Sequence, residues 1–376
     1  MNTVTPRVFI AATHQNDGKT TTALGLFSTL KKRFGRIGFI KPVGQRFEEY
    51  EGKQIDEDSL LINTTYSVDV PIEDMSPIAV EPSFTRRYID NANPEALIRR
   101  IQRSFNRACW EKEFCLIEGT GHAGVGSVFD LSNARVARLL QSKVVIVTTG
   151  GIGRPIDEVA LNQALFEKEG VEIVGVILNK IIRSKYDYVR DFASRGLARL
   201  GIELIGAIPE EEVLANPTLN QICREVRGRF ISRTVQETAK VKKIIVGAMS
   251  ARNIVNHFQR GTVVITPGDR EDVILAALSA TNDGELADKA LAGLILSGDL
   301  LPHPTVQDLI AESPLPVIAT SMDSYRVASS IHSMTIKTLP GDVEKIDRIQ
   351  ALVEQYVDVD RLLEKLGAVP PPAANG

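Results

Sequence analysis

Short apolar runs alternate with amphipathic helical stretches over the first two hundred residues of the chain. The runs cover residues 8–11, 37–40, 114–117, 144–147, 173–178 and 204–206. Continuous apolar strands separated by helices are typical of a parallel sheet whose two faces are both covered by helices. The pattern therefore predicts a first α/β domain over residues 1–215.

A second, shorter cycle of the same kind begins near residue 243. Its apolar runs cover residues 244–246, 263–265, 294–296 and 317–319. They predict a smaller α/β domain over residues 241–358, joined to the first by a linker at 216–240. Residues 342–365 carry the pattern of one amphipathic helix or two. Residues 366–376 end in a proline-rich stretch and are expected to be disordered.

Composition narrows the class of protein. The chain has 376 residues, 24% of them charged and 43% hydrophobic, with a net charge of −3, as in globular proteins of more than one domain. Lys and Arg are not concentrated in a long basic stretch, so we expect no nucleic-acid partner. The three cysteines form no CxxC pair, and we expect neither a disulfide framework nor a zinc site. The polar start and the lack of long apolar runs favour a cytoplasmic protein without a membrane segment.

The turn after the first apolar run carries the clearest chemistry. Gly18-Lys19-Thr20 stands between a predicted strand and a predicted helix. Such a turn offers backbone N–H groups to phosphates, a lysine to the β and γ groups, and a hydroxyl to Mg²⁺. The glycine that usually opens such a loop is replaced by Ala12 or Thr13. The residues predicted to bind ATP here are Asn16, Asp17, Gly18, Lys19, Thr20 and Thr21.

Charged residues at the ends of the next strands add to this site. Lys41 ends the second apolar run and Glu118 ends the third. Ligands bind at the carboxyl ends of the strands of an open parallel sheet, so Lys41 is predicted to neutralise a phosphoryl group and Glu118 to serve Mg²⁺. Within the acidic stretch 56–58, any one residue is equally well interpreted as a metal ligand or as a helix cap.

Asn179 follows the fifth apolar run. Its amide both donates and accepts hydrogen bonds, so it is a candidate for contact with the edge of a nucleobase. A guanine-specific site would favour an aspartate where Ile182 stands. The sequence therefore favours adenine.

Together these motifs resemble the dethiobiotin synthetase and cobyrinic acid a,c-diamide synthase branch of phosphate-loop proteins. The matching segments are 18–20, 41–43 and 118–121, and Asp58 corresponds to the acidic residue that the synthetase uses for metal. Segments 265–273 and 292–300 resemble the DRTGG domain, in which Asp269-Arg270 is kept and Glu271-Asp272 departs from the motif. The order of the two modules resembles the amino-terminal region of long phosphate acetyltransferases.

The resemblance implies a nucleotide-binding regulatory or interaction protein, with ATP and Mg²⁺ as cofactors, a homo-oligomeric state, and an acyltransferase as a candidate partner. The alternative is an ATP-dependent ligase that joins a carboxylate or carbamate to an amine, with Lys19 and Lys41 as the catalytic cations and Thr20, Asp58 and Glu118 around Mg²⁺. A third hypothesis is a structural protein with a degenerate phosphate loop. Acetyl transfer itself is not expected, since the resemblance ends before the acyltransferase domain.

Overall fold

A computed structural model describes residues 2–233, 239–282 and 291–371. The chain divides into two compact units, residues 1–211 with 338–376, and residues 212–337. Among the described residues, we find no helix that combines the length and the apolar character needed to cross a membrane.

The first unit starts with alternating strands and helices. Its strands are β1 (Arg7–Ala12), β2 (Ile37–Ile40), β3 (Val43–Gly44), β4 (Phe47–Tyr50), β5 (Lys53–Asp56), β6 (Ile78–Ala79), β7 (Phe114–Glu118), β8 (Lys143–Thr149), β9 (Ile173–Ile181) and β10 (Leu204–Pro209). Its helices in this part are α1 (Lys19–Lys31), α2 (Glu57–Tyr66), α3 (Ile72–Met75), α4 (Phe84–Asp90), α5 (Pro94–Ala108), α6 (Asn133–Leu139), α7 (Gly153–Lys168) and α8 (Tyr186–Ala198).

Six of these strands form one parallel sheet in the order β10-β9-β8-β1-β7-β2. They contain the six apolar runs, so the predicted α/β architecture of this part is confirmed. The strand interiors are buried because helices cover both faces. β1 lies in the middle of the sheet between β7 and β8. The loops that follow β1, β2, β7, β8 and β9 therefore all leave the same edge, which is where a parallel sheet places its ligand site.

The second unit is a smaller α/β layer structure. Its helices are α9 (Glu212–Ala215), α10 (Leu219–Glu225), α11 (Ala251–Ile254), α12 (Glu271–Asn282), α13 (Pro304–Glu312) and α14 (Ser324–Ser333). Its strands are β11 (Arg229–Phe230), β12 (Lys243–Val246), β13 (Thr262–Pro267), β14 (Gly293–Ser297) and β15 (Val317–Ala319). The sheet order is β11-β15-β14-β13-β12, with β11 antiparallel. Apolar clusters lie on both of its faces.

The region predicted as a linker contains regular structure. Within residues 216–240, helix α10 begins at a capping box formed by Thr218 and Gln221, and β11 pairs with β15. Sequence patterns missed both elements because α10 has seven residues and β11 has two, too few for a periodicity to be recognised. Residues 234–238 lie outside the described part of the chain.

Two helices follow the second unit along the chain and belong to the first: α15 (Val343–Tyr356) and α16 (Val359–Leu366). The predicted second domain extended to residue 358, whereas α15 packs along α1, where Val353 meets Gly25. An amphipathic stripe shows that a helix will be buried and does not show against which partner. Leu366 is helical, residues 367–371 are described, and the rest of the predicted disordered tail lies outside the described residues.

Candidate functional site

The loop between β1 and α1 turns through two residues with positive φ. Asn16 has φ 70° and Gly18 has φ 89°. A Cβ atom added to Gly18 would lie 1.8 Å from Asn179 Nδ2. Both the backbone conformation and the close approach of Asn179 therefore require glycine at position 18. The loop leads directly into the amino terminus of α1, which is where backbone N–H groups can receive phosphate oxygens.

This turn is closed without a glycine at its start. Thr13 is buried, and its Oγ1 donates to Asp17 Oδ2 at 2.7 Å and lies 2.8 Å from Thr148 Oγ1 of β8. The backbone N–H of His14 donates to the same Asp17 oxygen at 2.6 Å. The Asp17 carboxylate thus holds the start of the loop by accepting two donors. A threonine is accommodated at position 13 because its hydroxyl takes part in this closure.

The loop is also held from the carboxyl end of β9. Asn179 Nδ2 donates to the Asp17 carbonyl oxygen at 2.9 Å, and Lys180 Nζ donates to the Asn16 carbonyl oxygen at 2.6 Å. Asn179 Oδ1 accepts from the Lys180 N–H at 2.9 Å. The Asn179 amide therefore supports the phosphate loop, and contact with a nucleobase stays a prediction for this residue.

Thr20 and Glu118 meet at the carboxyl edge of the sheet. Thr20 Oγ1 donates to Glu118 Oε1 at 2.9 Å. Glu118 is fully buried, and its second oxygen, Oε2, has no hydrogen-bond partner among the residues that the structure describes. Burial first, and the nearby Asp58 carboxylate second, raise the pKa of Glu118 to about 7. A buried carboxylate oxygen without a donor is costly, and a cation beside it would remove that cost.

These oxygens are suited to Mg²⁺. No group of three or more His, Cys, Asp or Glu side chains in the described ranges is arranged to hold a metal ion. Magnesium is commonly bound by one or two protein oxygens, with phosphates and water completing its shell. The Thr20 hydroxyl and the Glu118 carboxylate match that smaller donor set.

Lys41 lies in a buried ion cluster beside this pair. Its Nζ is 2.9 Å from Asp56 Oδ1 and also contacts Asp58 Oδ2. Burial alone would lower the pKa of Lys41, but the two carboxylates outweigh burial and raise that pKa above its ordinary value. A Cβ on Gly44 would lie 2.6 Å from Asp56 Oδ2, so glycine is required there for the carboxylate to fit. Asp58, predicted as a metal ligand, is thus a counter-ion of Lys41 in this structure.

Lys19 and Thr21 lie on the first turn of α1, and both are half-buried. Burial lowers the pKa of Lys19, while the Glu118 carboxylate acts in the opposite direction. Around this point two lysines, at positions 19 and 41, face three carboxylates, at positions 56, 58 and 118. These carboxylates offset part of the positive charge of Lys19 and Lys41, which is a further reason to expect a divalent cation there.

One buried asparagine shapes the loop after β7, and sequence reasoning missed it. Asn133 Oδ1 accepts from the Thr120 N–H at 3.0 Å, and its Nδ2 donates to the carbonyl oxygens of Thr120 and His122, both at 2.7 Å. Within the same loop, a Cβ on Gly119 would lie 2.5 Å from Phe9 Cε1. Asn133 is the first residue of helix α6, directly after the capping Ser132, and it belongs to none of the motifs recognised in the sequence.

Comparison with known proteins agrees with this geometry. Residues 6–218 match the AAA domain family. The chain belongs to that family. Residues 221–334 match the DRTGG domain, so the two predicted modules are confirmed in the predicted order.

Relatives of this AAA-domain chain include phosphate acetyltransferases. The Pseudomonas aeruginosa enzyme is 28% identical over 96% of this chain and 52% of its own length, and the Nitratidesulfovibrio vulgaris enzyme is 26% identical over 96% and 51%. The chain spans about half the length of these curated relatives. Among solved structures, the MinC:MinD cell division protein complex of Aquifex aeolicus is matched with 18% identity and a TM-score of 0.35, over 56% of this chain and 83% of that one.

Proposed function

We propose that the chain binds ATP with Mg²⁺ at the loop before α1 and acts as a regulatory or interaction protein. The observation that carries the proposal is the fully buried Glu118 carboxylate, whose Oε1 accepts from Thr20 while Oε2 has no donor within the described ranges. Thr20 and Glu118 would hold Mg²⁺ here, and the ion would supply the positive charge that the buried Glu118 carboxylate lacks.

A route for regulation is offered by α15, which contacts both helices of the site. Gly25 of α1 lies against Val353 of α15. Tyr66, at the end of α2, receives a hydrogen bond from Gln350 Nε2 at 3.1 Å and donates its own to the Leu24 carbonyl oxygen at 3.0 Å. Helix α1 begins at Lys19, and α2 begins beside the carboxylates that pair with Lys41. A change in their relative position on ligand binding would therefore reach α15.

Helix α15 also follows the second unit directly along the chain. Arg348 of α15 donates to Glu211 Oε1 at 2.7 Å, and Glu211 is the last residue before the chain enters the second unit. Arg183 contacts the same carboxylate. The segments on either side of the second unit are thus linked within the first by Arg348 and Glu211. This link supports our inference that α15 couples nucleotide occupancy to assembly or to a partner such as an acyltransferase.

The second candidate is an ATP-dependent ligase, which the position of Lys41 beside Lys19 favours. In such an enzyme Lys41 would stabilise charge that develops on a transferring phosphoryl group. Its ammonium already has two buried carboxylate partners, however, so it offers less net charge to a substrate. This charge balance leads us to rank regulation first. Phosphate release from ATP that required a carboxylate or carbamate and an amine would reverse the ranking.

Titration calorimetry with ATP and Mg²⁺ tests the proposal, together with sedimentation in the presence and absence of nucleotide. Lys19→Ala should abolish binding, and Lys168→Ala, an exposed lysine at the end of α7, should leave it unchanged. Nucleotide should also change the assembly of the wild-type chain. Absence of ATP binding by the wild-type chain would refute the proposal, and binding without any change in assembly or partner affinity would refute its regulatory part.

A further inference from the structure

One face of helix α7 carries a polar stripe that reaches the phosphate loop. Arg154, Glu158 and Asn162 are spaced four residues apart and so lie on the same side of the helix. Glu158 Oε1 accepts from Arg154 Nε at 2.5 Å and lies 2.9 Å from His14 Nε2, in the loop before α1. One carboxylate oxygen therefore joins a guanidinium on α7 to an imidazole in the phosphate loop.

The same stripe reaches the loop after β7. Asn162 Oδ1 accepts from the Ala123 N–H at 2.7 Å, and its Nδ2 donates to the Glu158 carbonyl oxygen at 2.8 Å. Asn162 is buried, and the Glu158 side chain is only 12% exposed. The Arg154 side chain, in contrast, is 80% exposed. Glu158 and Asn162 are thus fixed by packing, while the guanidinium of Arg154 is free to change its partner.

We propose that Arg154 binds the terminal phosphate group of a nucleoside triphosphate held in the loop before α1, and that Glu158 is its counter-ion until the phosphate arrives. This inference rests on the proposed function. It is motivated by the charge balance of the site, in which Lys41 is already paired and Lys19 faces Glu118. A triphosphate has several negative charges, and a further cation beside the loop would stabilise it in addition to Mg²⁺ and the exposed Lys180.

Guanidinium chemistry favours Arg154 for that role. Its planar array of donors matches phosphate oxygens in pairs, and its charge does not depend on pH. A phosphate with more than one negative charge competes well with a single carboxylate for such a donor. His14, in the loop, contacts the same Glu158 oxygen as Arg154 does. The Arg154 guanidinium therefore lies near the loop.

The test compares the affinities for ATP, ADP and AMP, each with Mg²⁺, of the wild-type chain and three variants. Arg154→Ala should weaken ATP binding about tenfold, as expected for loss of a hydrogen bond between charged groups, and should affect ADP and AMP much less. Glu158→Gln should tighten ATP binding a few-fold because the competing carboxylate is lost. Arg195→Ala is the matched control, since Arg195 pairs with Asp191 in the same four-residue spacing on exposed α8.

The outcomes separate the two proposals. If Lys19→Ala abolishes ATP binding while Arg154→Ala matches the control, the role of Arg154 is refuted and nucleotide binding stands. An equal loss of affinity for ATP, ADP and AMP would also refute it, because the terminal phosphate would not be the group contacted. Unchanged or weaker ATP binding by Glu158→Gln would refute the counter-ion role. If the wild-type chain binds no nucleotide, both proposals fail.

Discussion

The contact between α1 and α15 can be tested by one methyl group at Gly25. A Cβ atom at this position would lie 2.3 Å from Val353 Cγ2 and 3.0 Å from the Ile349 carbonyl oxygen. Val353 is fully buried, and Ile349 contributes backbone, so neither can move away freely. We therefore expect Gly25→Ala to destabilise the first unit, although alanine is the better helix former.

The change in unfolding free energy caused by Gly25→Ala combines two opposing contributions. Replacing glycine by alanine inside a helix gains about 1 kcal/mol, and overpacking a buried contact costs about 1 to 3 kcal/mol or more. With a contact as short as 2.3 Å we take the upper end of that cost, so the net loss of unfolding free energy is about 2 kcal/mol. Val353→Ala alone should cost a similar amount through lost burial and a cavity.

Urea unfolding followed by far-UV circular dichroism, which detects the loss of helix and strand, measures these changes in unfolding free energy. The double variant Gly25→Ala/Val353→Ala should be at least about 1 kcal/mol more stable than the sum of the two single losses of unfolding free energy predicts, because Val353→Ala makes room for the new methyl group. Gly153→Ala is the control, since a Cβ there meets no atom of the described part of the chain within 4 Å. Wild-type stability for Gly25→Ala, or strict additivity of the pair, would show that α15 does not pack on α1 as described.

Two further predictions concern the charged site. Lys41→Met should lower the free energy of unfolding by about 3 to 5 kcal/mol, measured in urea, because it leaves Asp56 and Asp58 buried without their cation. Lys53 is half-exposed, so the control Lys53→Met should lower it by less than about 0.5 kcal/mol. Equal losses for the two variants would contradict the ion cluster. The pKa of Glu118 is raised from 4.5 to about 7, so the folded chain binds its proton more tightly and stability decreases as pH rises through that interval. The test compares the unfolding free energies of wild type and Glu118→Gln without Mg²⁺ or nucleotide. Their difference should change by up to about 3 kcal/mol between pH 4.5 and pH 7, because only the wild type has the titrating carboxyl group. A difference that does not vary with pH would refute the raised pKa.

The sequence predicted the parallel sheet of the first unit and the edge at which the candidate site lies. Apolar runs long enough to be buried on both faces identified its six strands, and each run ended at a polar or glycine-containing loop. Lys19 was recognised from the Gly18-Lys19-Thr20 turn between a predicted strand and a predicted helix. Lys41 and Glu118 were recognised because each directly follows an apolar run, and the carboxyl ends of parallel strands meet at one edge. These were inferences from local pattern combined with a general rule of topology.

The pairing of side chains at that edge could not be predicted in the same way. The role of Asp58 as a metal ligand stays a prediction, and its ion pair with Lys41, seventeen residues away in sequence, was not foreseen. Thr13 appeared to be a departure from the usual loop, and only the position of the Asp17 carboxylate shows how the turn closes around it. Such pairings depend on distances of a few ångströms, which periodicity does not encode.

The return of α15 to the first unit illustrates why function was harder to predict than fold. The apolar stripe of α15 does not show whether the helix packs on the second sheet or on α1. The predicted second domain therefore included it, because that domain precedes it directly in the sequence. The actual position of α15 puts a segment that begins just after the second unit against the helix that begins at Lys19. If nucleotide binding moves α1, α15 must follow, because Gly25 and Val353 leave no space between the two helices. The proposed regulatory role therefore depends on this contact more directly than on the residues proposed to bind phosphate. Relaxing the contact with Val353→Ala should weaken the response of assembly to ATP while leaving ATP affinity near its wild-type value.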